Sequence, residues 1–318
     1  MKIAFLLYPT AKVKVHEDTS FWIMHELARR GHTVTHFESR DLLWRDGSAR
    51  ARLTPSKTDT RKGFLQSAPL AGHADLAAMD CVFIRKEPPF DTEYLYALQL
   101  LEGIRSRVFV LNDPAGIAMS NEKLFILDFP KHIPETLVTS DPKEAARFAR
   151  GLGKAVLKRL DDKGGAGVFS TSSRDRNLPS LLEQATRFGR EKILVQRFIS
   201  ADRYGDKRLL ILDGDILGAF LRRPATLDFR ANLGVGGTLH RAAVTAVDRR
   251  IVADLSPTLR RRGLHFVGID LIGRYLTEVN VTSPAGIADL ITLYGDHAEK
   301  RVADFVEARG GAGFRARL

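Results

Sequence analysis

Gly268-Ile269-Asp270-Leu271-Ile272-Gly273-Arg274-Tyr275-Leu276-Thr277-Glu278-Val279-Asn280 is the stretch on which the reading of this chain turns. Two apolar runs flank Gly273-Arg274, a natural hairpin turn. Side chains alternate between the faces of a strand, so Glu278 and Asn280 share one face, and Asp270 lies on the strand before the turn. Three oxygen donors inside otherwise apolar strands repel one another unless a positive charge joins them. A hard cation such as Mg²⁺, sharing its shell with phosphate oxygens, relieves that repulsion. The competing reading is the wet face of an antiparallel sheet, where alternating polar residues are ordinary. The cation reading is carried forward, with Asp270, Glu278 and Asn280 as candidate ligands.

Upstream lies a glycine-rich segment between two strand-like runs, Lys158-Arg159-Leu160-Asp161-Asp162-Lys163-Gly164-Gly165-Ala166-Gly167-Val168-Phe169. Such a turn can bend close to a polyphosphate and aim backbone N–H groups at it. It is not a Walker A loop, because no G-x-x-x-x-G-K-[ST] occurs in the chain. Alone, it reads equally as a mobile hairpin turn. A third set is cationic: Arg208 after Gly205-Asp206-Lys207, then Arg222, Arg223 and Arg230, followed by Asn232 and Gly234-Val235-Gly236-Gly237. Arginines beside a phosphate can neutralise charge on a transferred phosphoryl group and hold a carboxylate by paired hydrogen bonds. A glycine-flanked arginine loop also suits a lid. In isolation, ordinary surface arginines explain the set as well.

The surrounding chain is globular in composition. Its 318 residues, 44% hydrophobic and 27% charged, fit two or three domains and exclude disorder and fibrous repeats. Residues 2–8 form a continuous apolar run, as in a strand covered on both faces. Thr19 or Ser20 is placed to cap a helix that buries Phe21, Met24, Leu27 and Ala28 and stops at Gly31. Val34 to Phe37, Cys81 to Arg85 and Val108 to Leu111 continue the pattern, which predicts a parallel sheet. Residues 45–75 read as a long loop with a short hairpin. The turn after the first strand lacks G-x-G-x-x-G, which excludes a dinucleotide site there. Ala155 to Leu160, Val168 to Ser170 and Ile193 to Ile199 read as strands, and a short helix is expected around Lys123 and Phe125. Lys207 to Leu212 and Ile216 to Leu221 form a hairpin turning on Asp213-Gly214-Asp215.

Several classes fall away. The apolar runs are too short to span a bilayer, and the first ten residues are too short for a secretory signal. The single cysteine, Cys81, excludes an internal disulfide and any multi-cysteine metal site, which fits a cytoplasmic protein. The formal net charge of +11 admits nucleic acid or an acidic small molecule as partner. No aromatic residues interleave with the basic ones, so a solvated surface explains the charge better than a nucleic-acid footprint. His16, His25, His32 and His36 show no H-E-x-x-H spacing, and no G-x-S-x-G elbow holds a serine nucleophile.

Taken in order, six segments resemble bacterial glutathione synthetase, a family of ATP-grasp ligases. They are Arg85 to Tyr94 (RKEPPFDTEY), Asn121 to Phe125 (NEKLF), Pro134 to Thr139 (PETLVT), Gly205 to Arg208 (GDKR), Phe266 to Asp270 (FVGID) and Thr277 to Pro284 (TEVNVTSP). The resemblance covers nearly the whole chain. It implies a mixed α/β (α+β) ATP-grasp fold: an N-terminal parallel α/β domain over residues 1–120, a lid subdomain over 121–200, and a C-terminal antiparallel-sheet domain over 201–318. It implies ATP held between two antiparallel sheets, with Lys123 and Lys158 on the phosphates and Gly164, Gly165 and Ala166 as a mobile cover. Gln196, Arg197, Phe198 and Ile199 match the strand whose backbone reads the adenine, and Asp206 joins the nucleotide set. Asp270, Glu278 and Asn280 match ligands for two Mg²⁺ ions, or Mn²⁺. Arg208, Arg223 and Arg230 match catalytic positions near the acyl phosphate, and Asn232 and Ser283 match the peptide-substrate site. Family members are commonly homo-oligomers.

The activity implied is two-step ligation: a carboxylate takes the γ-phosphate of ATP, and an amine then displaces phosphate from the acyl carbon. An acidic dipeptide, an amino acid and ATP are the partners, with no membrane. Departures fall at Asp162 and Lys163 in the phosphate loop, at Thr226-Leu227-Asp228-Phe229 and Thr238-Leu239-His240 in the arginine lid, and at Arg197 beside the adenine. These bear on substrate choice more than on ATP use. Two other readings therefore stand beside γ-glutamylcysteine plus glycine. One is a related ligase with another acceptor; the other is a non-catalytic ATP- or nucleic-acid-binding protein.

Overall fold

The computed structural model describes residues 1–15, 17–161, 164–226, 228–311 and 314. Asp162, Lys163 and Leu227, three of the departures noted above, lie outside the described residues, as does His16.

The apolar run at the start becomes the central strand of a five-stranded sheet, in the order Phe109–Leu111, Cys81–Ile84, Lys2–Leu6, Thr33–Phe37, Thr54–Pro55. The first four strands are parallel, as the β-α-β order requires, and only the short edge strand runs the other way. Both faces are covered: Ala4 and Leu6 point into one apolar cluster, Ile3 and Phe5 into the other. Ile3, Phe5 and Leu6 each contribute about 1.5–3 kcal/mol relative to exposure. The helix Thr19–Arg29 packs on this sheet, burying Phe21, Ile23, Met24 and Leu27. Ala28, expected in the core, is half-buried. The cap is Asp18, not Thr19 or Ser20: its Oδ1 accepts from the Phe21 amide at 2.6 Å. The two hydroxyls are engaged elsewhere. Thr19 Oγ1 accepts from the amides of Gly286 and Ile287, and Ser20 Oγ accepts from Arg85 Nε.

Residues 45–75 hold more structure than a loop with one hairpin. Leu42–Arg45 pairs with Ser48–Ala51, and Lys57–Asp59 pairs with Gly63–Leu65. Around Phe125 the expected helix is a single turn of 3₁₀ helix, Phe125–Asp128.

Two antiparallel sheets follow. One has the order Thr136–Thr139, Ile193–Arg197, Lys154–Arg159, Val168–Ser172. Helices Pro142–Leu152 and Leu178–Ala185 cover its back through Ala145, Ala149, Leu178 and Leu182. Its strand Ile193–Arg197 stops two residues short of the expected end, leaving Phe198 and Ile199 as connecting chain. The other sheet has the order Thr238–Arg241, Asp215–Arg223, Asp206–Leu212, Phe266–Ile272, Tyr275–Asn280. Helix Ala246–Arg261 covers one face, with Ile251, Val252 and Leu255 in the same cluster as Leu209 and Ile211. The opposite face is divided. Leu210, Leu212 and Phe220 pack with Ile287 and Leu290 of helix Ile287–Tyr294, while Asp206, Arg208, Arg222 and Asp270 occupy the other half. Among the described residues, no helix is long and apolar enough to cross a membrane.

Candidate active site

Asp206 and Asp270 of that polar half line a pocket between the two antiparallel sheets. Lys123, Lys158, Gly164, Gly165, Ala166, Gln196, Arg197, Phe198, Ile199, Asp206, Arg230, Asn232, Asp270 and Glu278 all line it. Residues far apart in the chain are thus brought to one place.

The hairpin read first is present, turning at Gly273-Arg274. Asp270 lies directly across from Glu278, and Gly268 across from Asn280, with an irregularity in the ladder just after Asp270. Asn280 does not line the pocket itself, but its Nδ2 donates to Asp270 Oδ2 at 3.2 Å. On the next strand, Arg208 faces Asp270 and donates to both its oxygens, Nε at 2.5 Å and Nη2 at 2.8 Å. Arg222 faces Asp206, with Nη2 2.6 Å from Asp206 Oδ2 and 2.9 Å from Asp270 Oδ1. Two arginines and two aspartates therefore alternate in a buried square. Burial alone would raise the Asp270 pKa; Arg208 and Arg222 outweigh it and hold the carboxyl well below the usual carboxylate range. Asp206 shows the opposite balance. Burial, against the pull of Arg222 and with the charge of Asp270 adding to it, pushes its carboxyl up to about 6.

The cationic set is corrected at one position. Strand alternation turns Arg222 inward and leaves Arg223 exposed, its Nη1 donating to the Asp202 carbonyl at 3.1 Å. The structure thus places Arg222, rather than Arg223, beside the carboxylates. The sequence carries no signal for this, because Asp206 comes opposite Arg222 only after the ladder slips between Leu210 and Ile211.

Lys158 reaches from one sheet to the other, donating to the Thr277 carbonyl at 3.1 Å. Burial lowers its pKa; Glu278 acts against that shift and Lys123 adds to it. Lys123 Nζ lies 3.7 Å from Glu278 Oε1. The preceding residue, Glu122, was not singled out in the sequence. Its buried Oε1 accepts from the amides of Val281 and Thr282 and from the Thr282 hydroxyl at 2.7 Å. It thereby ties the Lys123 segment to the end of the Asn280 strand.

Over the pocket, two loops meet. Gly164 and Gly165 have positive φ, +64° and +83°, which other residues adopt only with strain. Arg230 Nη1 donates to the Gly165 carbonyl at 2.9 Å, and a Cβ on Gly165 would come within 2.7 Å of Asn232 Oδ1. Asp228 holds the Arg230 guanidinium through Nε at 3.0 Å and Nη2 at 2.6 Å. At the other end, Gln196 is buried and donates to Thr136 Oγ1, while Arg197 turns outward to pair with Glu135. Lys154 Nζ sits 3.7 Å above the Phe198 ring. Ser283 lies apart from the pocket, its hydroxyl directed to the Arg85 carbonyl at 3.3 Å.

The donors suit a hard divalent cation: two carboxylates and an amide carbonyl, all oxygen, with buried Asp206 Oδ1 left without a hydrogen-bond partner among the described residues. No group of three or more His, Cys, Asp or Glu stands at metal-holding distances among those residues.

The comparisons with known proteins agree with this geometry. The family model for the prokaryotic glutathione synthetase ATP-grasp domain matches residues 122–295, and that for the prokaryotic glutathione synthetase N-terminal domain matches residues 1–118. The chain belongs to this family. Glutathione synthetase of Mesorhizobium japonicum is 40% identical over 307 residues, covering 94% of this chain and 98% of the relative. That of Brucella melitensis is 40% identical over 309 residues, covering 97% and 99%. Among solved structures, the D-cycloserine synthetase DcsG superposes with a TM-score of 0.65 at 16% identity, covering 96% of this chain and 99% of that one. At that identity it shows the ATP-grasp fold alone. Within the glutathione synthetase family, ATP and a divalent metal are the shared requirements.

Proposed function

We propose that this chain is a glutathione synthetase, joining the cysteinyl carboxylate of γ-glutamylcysteine to the amine of glycine at the cost of ATP. The carboxylate attacks the γ-phosphorus, the bond to the β-γ bridging oxygen breaks, and ADP leaves with an acyl phosphate remaining. The glycine amine then attacks the acyl carbon, loses a proton, and phosphate departs. The observation that carries this reading is the buried square of Asp206, Arg208, Arg222 and Asp270 facing Lys123 and Lys158 across one pocket, in a chain about 40% identical to glutathione synthetases along nearly its full length.

The physical difficulty is bringing one anion up to another. Lys123 and Lys158 are read as receiving phosphate oxygens, and Arg208 and Arg222 as stabilising charge on the transferred phosphoryl group. Arg230 and the Gly164–Ala166 segment close the top and exclude water from the acyl phosphate. The chain from Gln196 to Ile199 is read as the adenine edge, and Asn232 and Ser283 as parts of the peptide side. Asp270, Glu278 and Asn280 are read as holding two Mg²⁺ ions (Mn²⁺ serving as well), which supply charge neutralisation on the phosphates when bound. The reading includes three working parts over 1–120, 121–200 and 201–318, and a cytoplasmic homo-oligomer.

The test is ADP release from purified protein with ATP, Mg²⁺ and panels of acids and amines. Release that requires γ-glutamylcysteine and glycine together, with the tripeptide identified by mass, supports the proposal. Equal or greater turnover with another acid or amine would move the chain to a related ligation. No ADP under any pair, with salt-dependent DNA binding instead, would replace catalysis with a binding role.

A further inference from the structure

One carboxyl group beside the Asp206–Arg222 square has no task in the steps above. Helix Ile287–Tyr294 lies on the same face of the sheet as the Asp206–Arg222 square, its Ile287 and Leu290 covering the apolar half. Its start is pinned from two sides: Thr19 accepts from the Gly286 and Ile287 amides, and Arg208 Nη1 donates to the Ala285 carbonyl at 3.1 Å. This fixes Asp289, in the helix's first turn, at the seam between the apolar and polar halves. Asp289 is half-buried and, among the described residues, has no hydrogen-bond or ion-pair partner. Burial works against its charged form, while Arg208 and Arg222 favour that form and Glu17, from the N-terminal part of the chain, opposes it.

A desolvated carboxylate needs compensation, and here the nearby guanidinium groups are already engaged with Asp206 and Asp270. What remains is an uncompensated anion beside a guanidinium, that of Arg222, whose buried Nε has no hydrogen-bond partner among the described residues and can still donate to a carboxylate. An amino acid carries that pair of charges. We propose that Asp289 is the counter-charge for the α-ammonium group of an amino-acid substrate, and so a specificity-determining residue of the ligation. Two sources carry this group, the γ-glutamyl end of the dipeptide and the glycine acceptor. The inference rests on the glutathione-forming reading above.

Two substrate pairs test it. γ-Glutamylcysteine is compared with glutarylcysteine, which lacks only the α-amino group, and glycine with hydroxylamine, which is uncharged at neutral pH. In Asp289→Asn, kcat/KM for the charged member of at least one pair is expected to fall about 10- to 100-fold, with the uncharged member within about twofold. The affected pair names the ammonium that is bound, and Asp289→Glu is expected to restore part of the preference. A residue that merely stabilises the first turn of its helix lowers all four substrates together and leaves both ratios unchanged; that outcome, or no change at all, overturns the proposal. If the asparagine variant does not fold, Asp289→Ser repeats the comparison. A wild-type protein inactive with γ-glutamylcysteine and glycine would sink the ligation reading instead, which keeps the two failures distinct.

Discussion

Two arginine–carboxylate pairs stand at opposite ends of the pocket and differ mainly in the water they see. The Arg208 and Asp270 side chains are 9% and 5% exposed, those of Arg197 and Glu135 42% and 59%. One member of each pair, Asp270 and Arg197, lines the same cavity. In the first pair, neither charge can return to solvent if its partner is lost. In the second, each is already half hydrated. The same chemistry therefore organises the floor of the site and only decorates its rim.

The largest effect follows from removing the shared carboxylate. Asp270→Ala takes away the carboxylate that Arg208 pairs with and leaves Arg222 with Asp206 alone. A loss of about 3–5 kcal/mol in stability is expected from breaking a buried pair on one side. Urea unfolding measures it. A midpoint near the wild-type value would show that water enters the square in solution, and the contrast with the rim would disappear.

Arg222 and Arg223 sharpen the comparison within a single strand. Arg222→Met is expected to lower kcat about 10²-fold, the usual size for losing one preorganised donor. Arg223→Met, removing the neighbour that points to solvent, should leave kcat within about twofold. Equal losses at both positions would contradict the inward and outward assignment.

That pair also shows where sequence reading stops. The strands Phe266–Ile272 and Tyr275–Asn280 were legible because apolar alternation and a Gly273-Arg274 turn leave few other foldings, and with them came Asp270, Glu278 and Asn280. Consecutive arginines carry no such mark: which faces inward depends on register with Asp206 across a ladder that slips between Leu210 and Ile211. The helix cap failed for a similar reason. Asp18, Thr19 and Ser20 are all good caps locally, and contacts to Gly286, Ile287 and Arg85, far along the chain, decide among them. Asp289 was invisible because its setting arises from the docking of a C-terminal helix on a distant sheet. Glu122 carries no local mark either, because its partners, Val281 and Thr282, lie far along the chain.

Glu26 lies between the two extremes. Its side chain is 5% exposed, while its partners Arg29 and Arg30 are 60% and 19% exposed. The bond from Arg29, with burial opposing it and Arg30 adding to it, holds the carboxyl down to about 2. A folded-state pKa below the unfolded value means that the native state resists protonation. The stabilisation is therefore present above about pH 4.3 and is lost as pH falls toward about 2. Allowing for the exposed partner, about 2 kcal/mol is at stake. Glu26→Gln should be less stable at neutral pH and lose less between pH 5 and pH 2.5 than the wild type. Parallel curves would show that the contact is as wet as the rim pair.

The smallest effect belongs to the rim itself. Glu135→Gln removes the partner of Arg197, but the backbone there is held independently: the Arg197 amide donates to the Glu135 carbonyl at 2.9 Å, and Gln196 remains bonded to Thr136. The chain that would read the adenine therefore keeps its course. An exposed pair contributes about 0–1 kcal/mol, and less as salt rises and screens it. The expected result is a stability change under about 1 kcal/mol that vanishes in high salt, with KM for ATP within about twofold. A larger rise in KM, insensitive to salt, would mean that Glu135 and Arg197 close over the bound base and exclude water from it. The rim would then obey the same rule as the buried floor, and only in the presence of nucleotide.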